Sequence, residues 1–142
     1  MKGKLLSSLI ASAILLAVGT QSASANIGDD TRSDARWANP DFHYTPSLLS
    51  PSDEDWYYWD NETGSNKFIW AGLQSPAGLN YDITGFLITP SGQEYTLYSN
   101  ESGPGGFDSF GTTVPAGGKI YFRIKADMFD YGQKYDFHFT RQ

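Results

Sequence analysis

Asp29-Asp30 and Asp53-Glu54-Asp55 place carboxylates at two separate points of the chain. A hard cation takes roughly six to eight oxygen ligands, and carboxylates that a fold gathers together can supply them. Asp29, Asp30, Asp53 and Asp55 are therefore the candidate ligands for a calcium ion. No Gly-centred calcium loop closing on a Glu is present, so an EF-hand is excluded. The competing reading makes these acids solvated surface and turn caps. A second group is aromatic. Tyr57, Trp59, Tyr95 and Tyr121 could line one sheet face, where flat side chains bind sugars or proteins at small entropic cost. The alternative packs half of them inward.

Catalytic chemistry finds little support. His43 and His138 are the two histidines, and neither sits in a metal-binding pair along the sequence. His138 lies on the polar face of its expected strand. Ser91 and Ser109 sit in no nucleophile elbow. Asp53 and Asp55 could act as acid and base on a glycoside only as any acidic pair could. No Gly-rich segment follows a strand and opens a helix, so no phosphate loop is present. The absence of cysteine excludes thiol catalysis and cysteine zinc sites. The expectation is a protein that is not an enzyme.

The elements that must position these residues begin after a targeting segment. Lys2 and Lys4 precede an apolar run over residues 5–18, and Ala23-Ser24-Ala25 follows as a cleavage pattern. Residues 1–25 thus read as a secretory signal peptide. The run is shorter than the roughly 20 residues of a membrane span, and no second run follows. A secreted, extracellular chain is expected, with an uncleaved N-terminal anchor as the alternative. Removing the two lysines moves the net charge from −6 to about −8. That charge argues against nucleic acid or an anionic membrane as partner. A secreted domain without disulfides is held by packing alone, or by packing plus a metal. Four Trp, nine Tyr and nine Phe, all beyond residue 25, can carry that load.

Residues 26–40 read as an acidic, irregular leader with one short helical turn at most, and residues 41–142 as a single domain. Pro40 and Pro46 interrupt a broken edge strand. Asp53-Glu54-Asp55-Trp56-Tyr57-Tyr58-Trp59-Asp60-Asn61 is the organising strand. Its alternation sends Trp56 and Tyr58 one way, Tyr57 and Trp59 the other. We expect Trp56 and Phe122 in the core and Trp59 less buried. A hairpin-like turn over residues 62–66 leads to a strand with Ile69, Ala71 and Leu73 on one face. Residues 81–89 form a strand interrupted at Gly85, a bulge or a close backbone approach. Pro90-Ser91-Gly92 turns it into a hairpin with residues 93–99. Three more strands follow. The last two alternate strictly, through Ile120, Phe122 and Ile124, then Tyr135, Phe137 and Phe139. About eight short strands with turn chemistry between them and no helical period predict an all-β fold, an antiparallel β-sandwich or jelly roll.

These landmarks, in this order, resemble the bacterial pre-peptidase C-terminal domain family. Asp29-Asp30-Thr31 and Ala35 look like its leader, and Asp53 to Trp59 like its Asp-x-Asp-Trp-Tyr strand. Asp82-Ile83 through Pro90-Ser91-Gly92 is similar to its Asp-hydrophobic strand and Pro-x-Gly turn. Gly118 to Ile124 and Tyr135 to Phe139 match its closing strands. The resemblance implies a β-sandwich that usually trails secreted peptidases. It also implies relatives among the collagen-binding modules of clostridial collagenases, which bind calcium through an acidic leader. The expected function is a secreted, non-catalytic binding or accessory module for a protein or polysaccharide surface, with calcium as its one candidate cofactor. A small secreted effector, such as a toxin, an antimicrobial or a peptidase inhibitor, is the alternative.

Overall fold

The computed structural model describes residues 28–142. The expected signal peptide lies outside the described residues. Nine strands follow a 3-10 turn at Arg32–Asp34: β1 (Arg36–Trp37), β2 (His43–Tyr44), β3 (Glu54–Asp60), β4 (Lys67–Gln74), β5 (Tyr81–Ile88), β6 (Glu94–Tyr98), β7 (Phe107–Val114), β8 (Lys119–Ala126) and β9 (Asp136–Arg141). They form two sheets, ordered β1-β3-β8-β5-β6 and β2-β9-β4-β7. The expected sandwich is what the chain adopts, with nine strands where about eight were read. The additional strand is β1, inside the stretch expected to be irregular. It pairs parallel with β3, Arg36 opposite Tyr57 and Trp37 opposite Tyr58.

The core lies where period-two faces of both sheets meet. Ile120, Phe122 and Ile124 from β8 are fully buried, as are Phe137 and Phe139 from β9 and Ile69, Ala71 and Leu73 from β4. All three faces follow the alternation in the sequence. Strand β3 does not follow the expected orientation. Tyr57 and Trp59 belong to the core cluster, whereas Trp56 lies outside it, covered on the outer face. The register settles this, because Tyr57 stands opposite inward-facing Phe122, and Trp56 opposite Arg123.

Of the two turns expected to close hairpins, one does and the other is an arch between the sheets. The one over residues 62–66 joins β3 to β4 across the sandwich, and only β5 and β6 are both consecutive and paired. Asn61 ties two arches together. Its buried Nδ2 donates to the Ser65 carbonyl at 2.8 Å, the Val114 carbonyl at 2.9 Å and the Pro115 carbonyl at 3.1 Å. One amide thereby reaches three carbonyls where two arches meet.

Gly85 marks a close approach rather than a bulge. Pairing runs through it without interruption on both sides. The Phe110 ring from the facing sheet sits on its backbone: a Cβ there would stand 2.5 Å from Cζ and 2.8 Å from Cε2. Gly85→Ala is expected to cost about 1–3 kcal/mol by overpacking. Urea unfolding measures that loss, and Phe110→Leu in the same chain should restore most of it. A neutral Gly85→Ala would mean that the ring has room to move.

Candidate functional site

The leader runs parallel beside β3 and brings the two acidic stretches together. The Trp56 amide donates to the Asp29 carbonyl at 2.9 Å, and the Ala38 amide to the Tyr58 carbonyl at 2.8 Å. Asp29, Asp53 and Asp55 are all buried, at 1%, 7% and 0% exposure, while Asp30 remains exposed. Aspartate at such depth needs partners. Asp53 Oδ2 accepts from the Leu49 amide at 2.5 Å, and Asp55 Oδ2 accepts from the Tyr135 hydroxyl. The Tyr135 oxygen is also 3.0 Å from that of Tyr57, so a short polar chain enters the core from the acidic end. Both Asp29 carboxylate oxygens and Asp55 Oδ1 are buried without a hydrogen bond. The nearest cation is Arg36, whose Nε stands 3.9 Å from Asp29 Oδ2.

Electrostatics record the crowding. Burial pushes the Asp55 carboxyl up to about 8, and the charges of Asp29 and Asp53 add to the rise. Burial likewise raises Asp29 against the pull of Arg36. It also raises Asp53, where the neighbouring Asp30 carboxyl works in the same direction. All four residues named from the sequence therefore meet at one end of the sandwich, three of them inside it.

The expected aromatic face is not assembled. Tyr57 and Trp59 are core residues: Tyr57 offers no surface, and Trp59 offers only an edge, in the cleft that it lines with Trp37 and Tyr58. Tyr95 and Tyr121 point to opposite sides of their sheet: Tyr121 stands opposite outward Phe86, and Tyr95 opposite inward Leu87. A different aromatic group occupies the outer face, and the leader covers part of it. The Arg32 guanidinium lies 4.5 Å from the Phe86 ring centre, 5.4 Å from Trp56 and 5.3 Å from Tyr121. A two-pronged ion pair with Glu94, at 2.9 and 3.0 Å, holds it there. Nearby, Trp37, Tyr58, Asp60, Glu62 and Arg141 line a cleft of about 500 Å³. Trp37 is 52% exposed there.

The fold also unites residues that the sequence separates. His43 on β2 pairs with His138 on β9, and Asp136 lies on the same face two residues before His138. Spacing along the chain gives neither histidine a companion; the register brings the two together beside one carboxylate.

No family model matches the chain, and no curated protein matches it in sequence. Its fold does match a crystal structure of the pre-peptidase C-terminal domain of a collagenase from Bacillus anthracis. The TM-score is 0.54 at 18% identity, over 75% of this chain and 94% of that one. The chain has the fold of a pre-peptidase C-terminal domain. Within that fold, the leader and β3 that carry the sequence resemblance are the two segments whose acids converge.

Proposed function

We propose that the chain is a non-catalytic accessory module of the extracellular space, pinned by calcium and presenting a surface to a protein or polysaccharide. The observation that carries the reading is the set of buried carboxylate oxygens without hydrogen bonds, on Asp29 and Asp55. Ionised carboxylates at that depth are strongly unfavourable alone and favourable around a divalent ion. The donor set consists entirely of oxygens, as calcium prefers, and its loose arrangement suits a flexible shell better than the tight octahedron of magnesium. Asp29, Asp53 and Asp55 would hold the ion, with Asp30 at the solvent side; no three of these acids bring oxygens within 4.8 Å of one another, so the ion would have to draw the carboxylates in around it. The cation would join leader to β3 and relieve the repulsion among the acids. The fold shared with the collagenase domain supports the accessory role. The cleft beside Trp37, with aromatic and charged lining, supports a surface that binds a partner.

Thermal melts test the calcium half. An ion that binds only the folded chain raises stability by RT ln(1 + [L]/Kd), about 2.7 kcal/mol at a hundredfold excess over Kd. The melting temperature should climb by several degrees in millimolar calcium, fall back with chelator, and respond less to magnesium. Asp29→Asn should abolish the response. A melt indifferent to calcium and chelator would overturn the reading. For the binding half, a screen against insoluble glycans and matrix proteins should give a ligand that Trp37→Ala loses without a change in melting temperature.

A further inference from the structure

His43, Asp136 and His138 bring one imidazole nitrogen each and a carboxylate oxygen within 4.8 Å of one another, on the outer face of the β2-β9-β4-β7 sheet. The details are more specific than proximity. His43 Nδ1 lies 2.9 Å from Asp136 Oδ1 and 3.1 Å from Oδ2, and His138 Nδ1 lies 3.3 Å from the same Oδ1. The two rings stack at 4.3 Å with 21° between their planes. Two imidazoles thus aim the same nitrogen at one carboxylate from parallel planes.

Two strands thus bring two imidazole nitrogens and a carboxylate to one point, and a cation shared by the three is what this convergence suits. With bonds of about 2.0–2.2 Å, the ligand atoms of a tetrahedral site stand about 3.3 Å from each other. The observed nitrogen–oxygen separations of 2.9–3.3 Å already lie close to such an edge. The ring of His138 is held from below, with Trp70 at 5.6 Å and Phe107 at 6.1 Å between centres. His43 is open to water, with its side chain 59% exposed, so an ion can enter without moving the sheet.

We infer that His43, Asp136 and His138 form a binding site for a borderline divalent transition ion of the zinc class, separate from the acidic end. Two imidazoles and one carboxylate select such an ion over calcium, which seeks oxygens. A fourth position faces solvent and takes water or a donor from a partner. The ion fastens β2 to β9. That matters because β2 is two residues long and pairs only with β9. The ligands lie 93 residues apart, and a cross-link closing so long a loop restricts the unfolded chain strongly.

The test is a zinc titration of the chelator-treated chain, followed by thermal melts in millimolar calcium so that any oxygen-rich site is already occupied. At a hundredfold excess over Kd the melting temperature is expected to rise by about 5 °C or more. His43→Ala should abolish the rise while its metal-free melt stays within a degree or so of the parent. Asp136→Asn should weaken zinc binding by about tenfold or more. Copper(II) gives an independent readout, because it quenches nearby indoles: it should quench the parent's tryptophan emission, and Trp70→Phe should remove most of that quenching. Absence of a zinc response in the parent overturns the proposal. So does a response that survives His43→Ala, or affinity that Asp136→Asn leaves unchanged.

Discussion

In chelator, Asp55→Asn should melt higher than the parent at pH 8 and level with it near pH 4. The sign follows from where the proton sits. In the unfolded chain the Asp55 carboxyl ionises near its ordinary value of 3.8; in the fold, burial holds the proton until about 8. Between those values the folded form binds more protons than the unfolded one, so stability falls as pH rises through the window. Below it both states are protonated and the group contributes no slope. The full penalty at pH 8 is on the order of 5 kcal/mol. Asparagine removes it, because its side-chain oxygen still accepts the Tyr135 hydroxyl and it carries no charge to bury. The difference in melting temperature at pH 8 should be roughly 10 °C or more. Calcium should reverse the order, stabilising the parent and leaving the variant behind. A parent whose melt in chelator is flat from pH 4 to 8 would show that Asp55 ionises without cost.

Phe122→Ala should cost about 3–5 kcal/mol, enough to leave a domain of ordinary stability largely unfolded. Phe122 is fully buried, and its ring centre lies 5.1 Å from Phe139, 5.2 Å from Phe137 and 6.2 Å from Phe110. No neighbour can collapse into the space without abandoning the others. Tyr121, one residue earlier, points the other way and rests beneath Arg32 and Lys119. Its replacement by alanine should cost about 1 kcal/mol. Urea midpoints of the two variants side by side measure the contrast. Equal losses would mean that β8 is registered the other way round.

That contrast shows what could be read from the chain alone. The alternation of β8 and β9 was legible because their outward positions are polar, so one face alone can be core. In β3 both faces are aromatic. Alternation separates Trp56 and Tyr58 from Tyr57 and Trp59, but it carries no sign. The sign comes from the register with β8, and Arg32 travels from the leader to lie over Trp56 and Phe86 and gives the outer face a cover of its own. The acidic end was legible as a set of residues, because the leader and β3 each hold their acids within a few positions. How deeply Asp55 is buried was not, since that depends on Tyr135 reaching across from just before β9. The histidine group left one local trace, Asp136 and His138 at the spacing that shares a strand face. Its third member arrives only through the pairing of β2 with β9.

Strand order has a kinetic consequence. Of the paired strands only β5 and β6 are neighbours in sequence, and β3 finds its long partner in β8, while β4 waits for β7 and β9. Few native contacts can form until most of the chain is available, and the closing of long loops must precede any gain from pairing. Refolding is therefore expected on the millisecond-to-second scale typical of sandwiches. During that interval the Trp56-Tyr57-Tyr58-Trp59 run is exposed with β-prone residues on both sides of the strand. The acids at its borders, Asp53, Glu54, Asp55 and Asp60, then act as gatekeepers: they keep that sticky segment from pairing with its counterpart in another unfolded copy.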